Sequence, residues 1–324
     1  MKLSLCILCG LVLGYNFSPA ILSTDENAPN GTKDSTTKTP ADIGRIVYGA
    51  KNKGDETAKY VSMAIDAGFR HIATASMHAD YQESGVGVGW KESGAPRQDL
   101  YLQTLFVAED VNDWNTKDCH LKDCDSKRSL EDQVHFSIQS SLTNLQTTYI
   151  DAVLIHNFRA RLQPYENIIR EYRVLEEYVD KGVIRHLGIV SCHDENILKQ
   201  LYDEARIKPK IIQNRFHGNR GFDVKLRPLF KELGLVNQLF WVLTGNGGFL
   251  RNETVKRIAK EKNLTVQQCM YAFTLSIGAS PMIGSQTLQH MKEDVDMNNN
   301  FSMWTLEDKK DFAGVLRHQG LANF

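Results

Sequence analysis

The chain has 324 residues, of which 42% are hydrophobic and 24% are charged, and this composition is ordinary for a globular protein. The length fits one large α/β domain or two smaller ones. The net charge of −1 gives no bulk attraction to nucleic acid or to an anionic membrane, so neither is expected as a partner.

The N-terminus is predicted to be a secretory signal peptide, residues 1–20. Lys2 is followed by an apolar run, residues 3–15, and then by small residues that end at Ala20. The run is too short to span a bilayer comfortably, so no membrane span is predicted. A polar linker, residues 21–40, follows, and it argues against the alternative of a buried N-terminal helix or strand.

Entry into the secretory pathway predicts a secreted protein or a protein of the endoplasmic reticulum lumen. It also predicts a glycoprotein, because N-x-[ST] sequons begin at Asn30, Asn252, Asn263 and Asn300.

From Ile43 onward, short β-rich runs alternate with turns and helical stretches. The first strand, RIVYGA, precedes a helix, ETAKYVSMAIDAG, whose apolar residues share one face. The strands RHIATA and LYLQTLFV come next. The helix SLEDQVHFSIQSSLTNL follows, with Ser129 as its N-cap and Asp132 reaching back as in a capping box.

Two cysteines lie in the long segment between that last strand and that helix. In DCHLKDCD, Cys119 and Cys124 are near enough for a disulfide, which suits the secretory compartment. A metal site that uses His120 is the alternative, but no second pair of ligands follows, and no metal is predicted.

The remaining strands are almost continuously apolar, as is typical of strands covered on both faces. They are YIDAVLIH, IRHLGIV, PKIIQNRF, VNQLFWVL and SPMIGS, with helical segments between them. Eight strands that alternate with helices predict a closed (β/α)8 TIM barrel, a single domain over residues 41–324. An open doubly wound sheet is the alternative, but no G-x-G-x-x-G motif follows the first strand.

In such a barrel the working side chains lie at the C-terminal ends of the strands. Tyr81, after the second strand, and His156, at the end of the fourth, are the two groups there that can exchange a proton. The alternatives are an exposed loop tyrosine and a core histidine. No Ser-His-Asp order and no paired carboxylates occur at these ends.

Several segments match one family in order and spacing, namely AIDAGFRHIATA, YLQTLF, YIDAVLIHNF, LEEYVDKGVIRHLGIVS and IIQNRF. From Ile43 nearly to the C-terminus, the chain resembles the aldo-keto reductases. The resemblance implies an NADP(H)-dependent carbonyl reductase on a (β/α)8 barrel, with an Asp-Tyr-Lys-His tetrad.

Under this resemblance the tetrad is half retained. Tyr81 and His156 occupy the tyrosine and histidine positions, whereas Ala73 and Leu105 occupy the aspartate and lysine positions. A buried ion pair can be exchanged for apolar residues at little cost, although the loss of one partner alone is expensive. The double change is therefore expected to leave the barrel stable.

The remaining pair is expected to support reduction. A tyrosine with an ordinary pKa of about 10 is a neutral proton donor at pH 7, and carbonyl reduction requires such a donor. Alcohol oxidation requires tyrosinate, which the family's lysine favours. We therefore expect slow reduction of reactive carbonyls by Tyr81 and His156, strongly disabled in reverse.

The resemblance also implies an altered nicotinamide site. The Ser-Asn pair that holds the nicotinamide amide becomes Val190 and Ser191, while their companion Gln213 is kept. The aromatic that stacks on the nicotinamide becomes Phe240, which is still flat and apolar.

At the phosphate end, the family's Lys-Ser…Arg becomes Gly284, Ser285 and His290, with Glu293 kept and Asp294 in an asparagine position. Two cations that grip the 2′-phosphate are thus replaced by a glycine and a weakly basic histidine. NADP(H) is the expected cofactor, bound weakly, and NAD(H) is the alternative.

Two classes of function follow. The first is a weakened reductase of small carbonyl substrates, expected as a monomer. The second is a catalytically inactive homologue, a pseudoenzyme, that keeps the barrel as a secreted or luminal binding protein.

Overall fold

The computed structural model of the protein describes residues 45–77, 80–108, 128–156, 164–300 and 305–318. The predicted signal peptide and linker lie outside these ranges, as do Asn30, Cys119, His120 and Cys124. Within them, no helix is both long and apolar enough to cross a membrane.

In the part of the chain that is described, eight parallel strands close into a barrel in chain order, and the last strand pairs with the first. The strands are β1 (Val47–Gly49), β2 (His71–Ala73), β3 (Tyr101–Phe106), β4 (Ile150–His156), β5 (Ile184–Val190), β6 (Ile211–Arg215), β7 (Val236–Phe240) and β8 (Ala279–Ile283). The prediction of a (β/α)8 barrel is confirmed, and the open sheet is excluded.

Helices connect successive strands, and two of them lie between β7 and β8. The helices are α1 (Thr57–Ala67), α2 (Glu83–Glu92), α3 (Leu130–Asn144), α4 (Tyr165–Asp180), α5 (Glu195–Glu204), α6 (Arg227–Glu232), α7 (Glu253–Glu261), α8 (Val266–Ser276), α9 (Leu288–Asn300) and α10 (Leu306–His318). The N-cap predicted for α3 is confirmed, because the Ser129 hydroxyl accepts from the Asp132 amide at 3.1 Å.

Strand β7 is shorter than the apolar run VNQLFWVL predicts. It ends at Phe240 because Trp241 has a φ of 61°, a left-handed conformation that extended backbone cannot continue. The turn leaves the indole of Trp241 41% exposed at the C-terminal end of the barrel.

Along each strand, successive residues point alternately toward the helices and toward the barrel interior. On β3, Leu102 and Phe106 pack in the large outer core, whereas Tyr101 and Leu105 belong to a smaller cluster. We call this smaller set the interior cluster, and its buried members are Ala75, Tyr101, Leu105, Ala152, Leu154, Val190 and Ile211. It explains why the strands read as almost continuously apolar, since both of their faces are covered.

The glycine-rich segment GVGVGW forms most of α2, a helix that its composition does not predict. A Cβ on Gly87 would lie 2.1 Å from the Asn144 carbonyl oxygen, and one on Gly89 would lie 2.4 Å from that of Ala58. Glycine is therefore required here because α2 approaches the backbones of α1 and α3 too closely for a side chain.

The first turn of α2 is anchored by a buried carboxyl group. Glu83 is 2% exposed, and it accepts hydrogen bonds from the side chains of Thr104 on β3 and of Ser141 and Asn144 on α3. Burial raises the pKa of Glu83, and these three donors oppose the rise. Since Tyr81 lies two residues before Glu83, the same contacts fix the end of the loop that carries Tyr81.

Replacement of Glu83 by alanine is expected to destabilise the fold by about 3 kcal/mol, because two buried hydroxyls and one half-buried amide lose their acceptor. Urea denaturation of Glu83→Ala measures this cost. Glu92→Ala removes an exposed carboxylate from the same helix and should change stability by less than about 0.5 kcal/mol. Equal stabilities for the two variants would show that Glu83 does not anchor α2.

Candidate active site

The C-terminal ends of the strands bring the predicted site residues onto one rim. His156 on β4 is in register with Val190 on β5, and Val190 is in register with Gln213 on β6. Next along the rim, Arg215 on β6 is in register with Phe240 on β7. One continuous arc from β4 to β7 therefore holds the predicted histidine and the predicted nicotinamide contacts.

Tyr81 lies in the loop between β2 and α2, half-buried against the interior cluster. Phe240 packs against the same cluster, which also contains Leu105 and Val190. Burial, and after it the negative charge of Asp80, raise the pKa of Tyr81 above its ordinary value. The phenol is therefore neutral, and it lies at the mouth of the barrel, where the sequence predicts a proton donor.

Contacts within the loop hold Tyr81 in this position. The Tyr81 amide donates to the Met77 carbonyl at 2.9 Å, and the hydroxyl of Ser76 donates to the Leu105 carbonyl at 2.9 Å. Asp80 forms an ion pair with Lys51 at 2.8 Å. The loop is thus tied both to the end of β3 and to the segment after β1.

The two positions that the resemblance assigns to an aspartate and a lysine are buried and apolar. Ala73 is 2% exposed at the end of β2, where it is in register with Gln103 of β3. Leu105 is 6% exposed and belongs to the interior cluster against which Tyr81 packs. Neither side chain carries the charge that the resemblance implies at its position, and the apolar contact of Leu105 with the cluster around the phenol is consistent with the raised pKa of Tyr81.

At the nicotinamide end, Ser191 follows β5 with a left-handed φ of 59°. Its amide donates to the Gln213 carbonyl at 2.9 Å, which continues the pairing of β5 and β6 by one residue. The strained turn directs the chain away from the strand at the rim. Ser191 and Gln213 therefore lie side by side, as the resemblance implies.

Sequence reasoning missed a buried amide network beneath this rim. Gln103 and Gln238 exchange two side-chain hydrogen bonds across the barrel at 2.9 and 3.0 Å. The Gln213 amide also donates to Gln238, at 2.9 Å. The network fixes the orientation of Gln213, and its only sequence signal is one glutamine inside each of three apolar strands.

His71 completes the network at the lower end of the barrel. Its Nε2 lies 3.0 Å from the side-chain oxygen of Gln103. Burial lowers the pKa of His71 to about 4, although the contact with Gln103 opposes this shift. The imidazole is therefore neutral, and because the partner is an acceptor, Nε2 carries the hydrogen.

At the predicted phosphate end, Ser285 and Asp294 form a hydrogen-bonded pair. The Ser285 hydroxyl donates to Asp294 at 2.6 Å, and the Ser285 carbonyl accepts from the Tyr48 phenol at 3.1 Å. Burial raises the pKa of Asp294 to about 6, and Ser285 and then His290 oppose this rise. Asp294 thus faces Ser285 and is only 4% exposed.

The other two predicted residues at this end lie on α9. His290 is exposed near its start, and its amide donates to the Thr287 hydroxyl at 3.3 Å. Glu293 is half-buried and accepts from Gln289 at 2.9 Å. Sequence reasoning missed Lys53, a buried residue whose ammonium donates to the Gly284 carbonyl beside this group.

Comparison with known proteins finds one matching family model and relatives that are named as reductases of carbonyl compounds. The model of the Aldo/keto reductase family matches residues 43–313. A glyoxal reductase of Bacillus subtilis is 30% identical over 256 residues, which cover 79% of this chain and 82% of the relative. Methylglyoxal reductase DkgA of Yersinia pestis is 26% identical over 252 residues, 75% of this chain and 78% of the relative.

Solved structures agree with the fold. An aldo-keto reductase from a deep-sea metagenome library, MGS-M4, has a TM-score of 0.69 at 24% identity and covers 86% of this chain and 92% of its own. An aldo-keto reductase of Bombyx mori, solved in complex with NADP, has a TM-score of 0.64 at 20% identity, with 83% and 88% covered.

Restoration of an ion pair at Ala73 and Leu105 provides a test of their coupling. Ala73→Asp and Leu105→Lys each bury an unpaired charge, and each is expected to destabilise the protein by about 3–5 kcal/mol. The double variant should recover at least about 2 kcal/mol of the summed loss, as measured by a urea denaturation cycle.

Leu105→Met conserves volume and should cost less than about 1.5 kcal/mol. It therefore controls for simple repacking of the interior cluster. Additive losses in the double variant would show that positions 73 and 105 cannot form an ion pair in this barrel.

Proposed function

The chain belongs to the aldo/keto reductase family, and on this basis we propose that it reduces small reactive carbonyl compounds with Tyr81 as proton donor. The observation that carries the proposal is the position of Tyr81, whose raised pKa keeps it neutral at the mouth of the barrel. The names of two relatives, a glyoxal reductase and a methylglyoxal reductase, support small dicarbonyls as the substrate class.

The residues present fit a nicotinamide dinucleotide. Phe240 offers a flat apolar face, and the amide network holds Gln213 at the rim. At the other end, a Cβ on Gly284 would meet only ordinary contacts, so the glycine leaves space beside Ser285 and Lys53. NADP(H) is the proposed cofactor and NAD(H) the alternative.

When bound, a reduced nicotinamide would supply the hydride for the carbonyl carbon. Tyr81 donates its phenolic proton to the carbonyl oxygen as negative charge develops there, and solvent then returns a proton to the tyrosinate. His156 lies on the same rim, half-buried at the end of β4, where an imidazole can hydrogen-bond the substrate oxygen and orient it. The interior cluster excludes water from one side of the phenol.

The direction of the reaction follows from the same surroundings. Oxidation of an alcohol needs tyrosinate as a base, and burial disfavours this charged form of Tyr81. No cation at position 73 or 105 offsets that effect, since both residues are apolar. In the proposed reaction Tyr81 therefore starts in its neutral form and acts as the acid of carbonyl reduction.

Tyr81→Phe tests the proposal, with methylglyoxal as substrate and saturating NADPH. Loss of the phenol is expected to lower the rate by about 100-fold or more, because the positioned proton donor is removed. Tyr149→Phe is the control, because Tyr149 precedes β4 at the opposite end of the barrel and its ring stacks on Arg97. Equal rates for Tyr81→Phe and the parent protein would overturn the proposal.

The pH profile gives a second test. A tyrosine carries its proton below its pKa, and the pKa of Tyr81 is raised, so the donor persists to a higher pH than an ordinary phenol with a pKa of about 10. At saturating cofactor, deprotonation of Tyr81 should not lower the rate of reduction as the pH rises from about 6 to 9. A decline in that range that Tyr81→Phe abolishes would contradict the raised pKa.

We also infer a location in the secretory pathway from residues 1–20, and the sequons allow a test of it. Asn263 is exposed, with a φ of 53° in the turn before α8. Asn252 is half-buried, and its side chain caps α7 by accepting from the Thr254 amide at 2.9 Å. A glycan is attached through Nδ2 and leaves the Oδ1 cap in place, so the expected difference rests on exposure: the exposed Asn263 accommodates a glycan more readily than the half-buried Asn252.

Glycopeptide mass spectrometry of the secreted protein should find a glycan on Asn263 and none on Asn252. Asn263→Gln should remove the corresponding mass, whereas Asn252→Gln should leave it unchanged. A protein retained in the cytosol, or one with unmodified Asn263, would contradict the inferred location.

A further inference from the structure

Lys53 is a buried cation without an acidic partner among the described residues. It lies between β1 and α1, and it is 7% exposed. Its ammonium donates to the Gly284 carbonyl and lies 5.7 Å from the ring centroids of Tyr48 and Tyr60. By contrast, the neighbouring Lys51 is half-buried, with a side chain that is 41% exposed, and it pairs with Asp80.

Burial of an unpaired ammonium opposes folding, so its retention needs a reason. Burial also lowers the pKa of Lys53 to about 8. An ammonium has three N–H donors, and one carbonyl accepts from it here. The group therefore has capacity for an anionic ligand that would stabilise its charged form.

Gly284 leaves the approach to this ammonium open. It is exposed, and its φ is outside the left-handed region, so the backbone does not require glycine. A Cβ at this position would lie 3.6 Å from the Lys53 Nζ and 3.8 Å from the Gly49 carbonyl oxygen. A side chain at position 284 would thus extend into the space beside the Lys53 ammonium.

The surroundings of Gly284 suit a phosphate group. Ser285 follows it directly, and the exposed His290 lies on the first turn of α9. The start of a 13-residue helix adds a favourable field for an anion, although the buried cation is the stronger attraction. Asp294 faces Ser285, and burial raises its pKa to about 6. Asp294 therefore still carries negative charge at pH 7, and this charge partly opposes the binding of an anion.

We propose that Lys53 binds a phosphate group of the nicotinamide dinucleotide over Gly284. In this proposal the positive charge comes from Lys53 in the loop after β1, instead of from a lysine at position 284 at the end of β8. This inference rests on the proposed function, because it takes the dinucleotide as the ligand. The 2′-phosphate of NADPH is the expected group, since His290 and Ser285 flank the same place.

The test measures nucleotide binding by fluorescence titration of the intact protein. Lys53→Met keeps most of the side-chain volume and should raise the Kd for NADPH by about tenfold or more, because a charged hydrogen bond is lost. The Kd for NADH should change by less than about twofold, as expected for a contact with the 2′-phosphate alone. Lys59→Met, an exposed change on α1, should leave both values unaltered.

A relocation of the charge sharpens the test. Lys53→Ala combined with Gly284→Lys should restore NADPH binding to within about threefold of the parent, because the side chain at 284 reaches the vacated space. Lys53→Ala alone should remain weak. Adenosine 2′,5′-bisphosphate should follow NADPH in each variant, which makes the result independent of the nicotinamide end. Thermal denaturation confirms that every variant is folded.

An unchanged Kd for NADPH in Lys53→Met overturns the inference and leaves the proposed function intact. An equal loss for NADPH and NADH supports a phosphate contact and assigns it to the diphosphate. Binding that depends on Lys53, without turnover that depends on Tyr81, sustains this inference and overturns the proposed function. A parent protein that binds none of the three nucleotides overturns both.

Discussion

The candidate site depends on the pair of hydrogen bonds that Gln103 and Gln238 exchange across the barrel. Amides buried in an apolar interior are costly unless they are hydrogen-bonded, so this pair specifies how β3 and β7 face each other. His71 and Gln213 join the same two side chains, one from each end. The rim residue Gln213 is therefore held by side chains inside the barrel.

Above this network the interior becomes apolar, and that change determines the chemistry of Tyr81. Leu105 and Val190 belong to the cluster against which the phenol packs, and Ala73 offers no charge at the end of β2. A low-polarity setting stabilises a neutral phenol more than a phenolate. The apolar residues at positions 73 and 105 spare the barrel the desolvation of an ion pair, and in the proposed reaction they favour Tyr81 as an acid.

The alternation of apolar strands and helices was enough to predict the barrel, the rim and the N-cap at Ser129, because these depend on local pattern and chain order. Helix α2 was missed because its glycines are required by close contacts with the backbones of Asn144 and Ala58. These residues are distant in sequence, so the local pattern does not reveal the contacts. The amide network was missed for the same reason, since Gln103 and Gln238 are 135 residues apart. Glutamine in an apolar strand signals a buried partner without identifying it.

The pairing of Lys53 with Gly284, which are 231 residues apart, shows how this limit affects a functional prediction. Judged by position 284 alone, the phosphate end has lost a cation. In the folded chain an ammonium from another loop lies where a side chain at 284 would extend. Positions 73 and 105 both lack the charges of the ion pair that the resemblance implies, so neither position buries an unpaired charge. Lys53, by contrast, is a buried cation without a carboxylate partner among the described residues. An isolated buried charge opposes folding unless a bound group compensates it, and this asymmetry is the physical reason for the proposal that Lys53 binds a phosphate group.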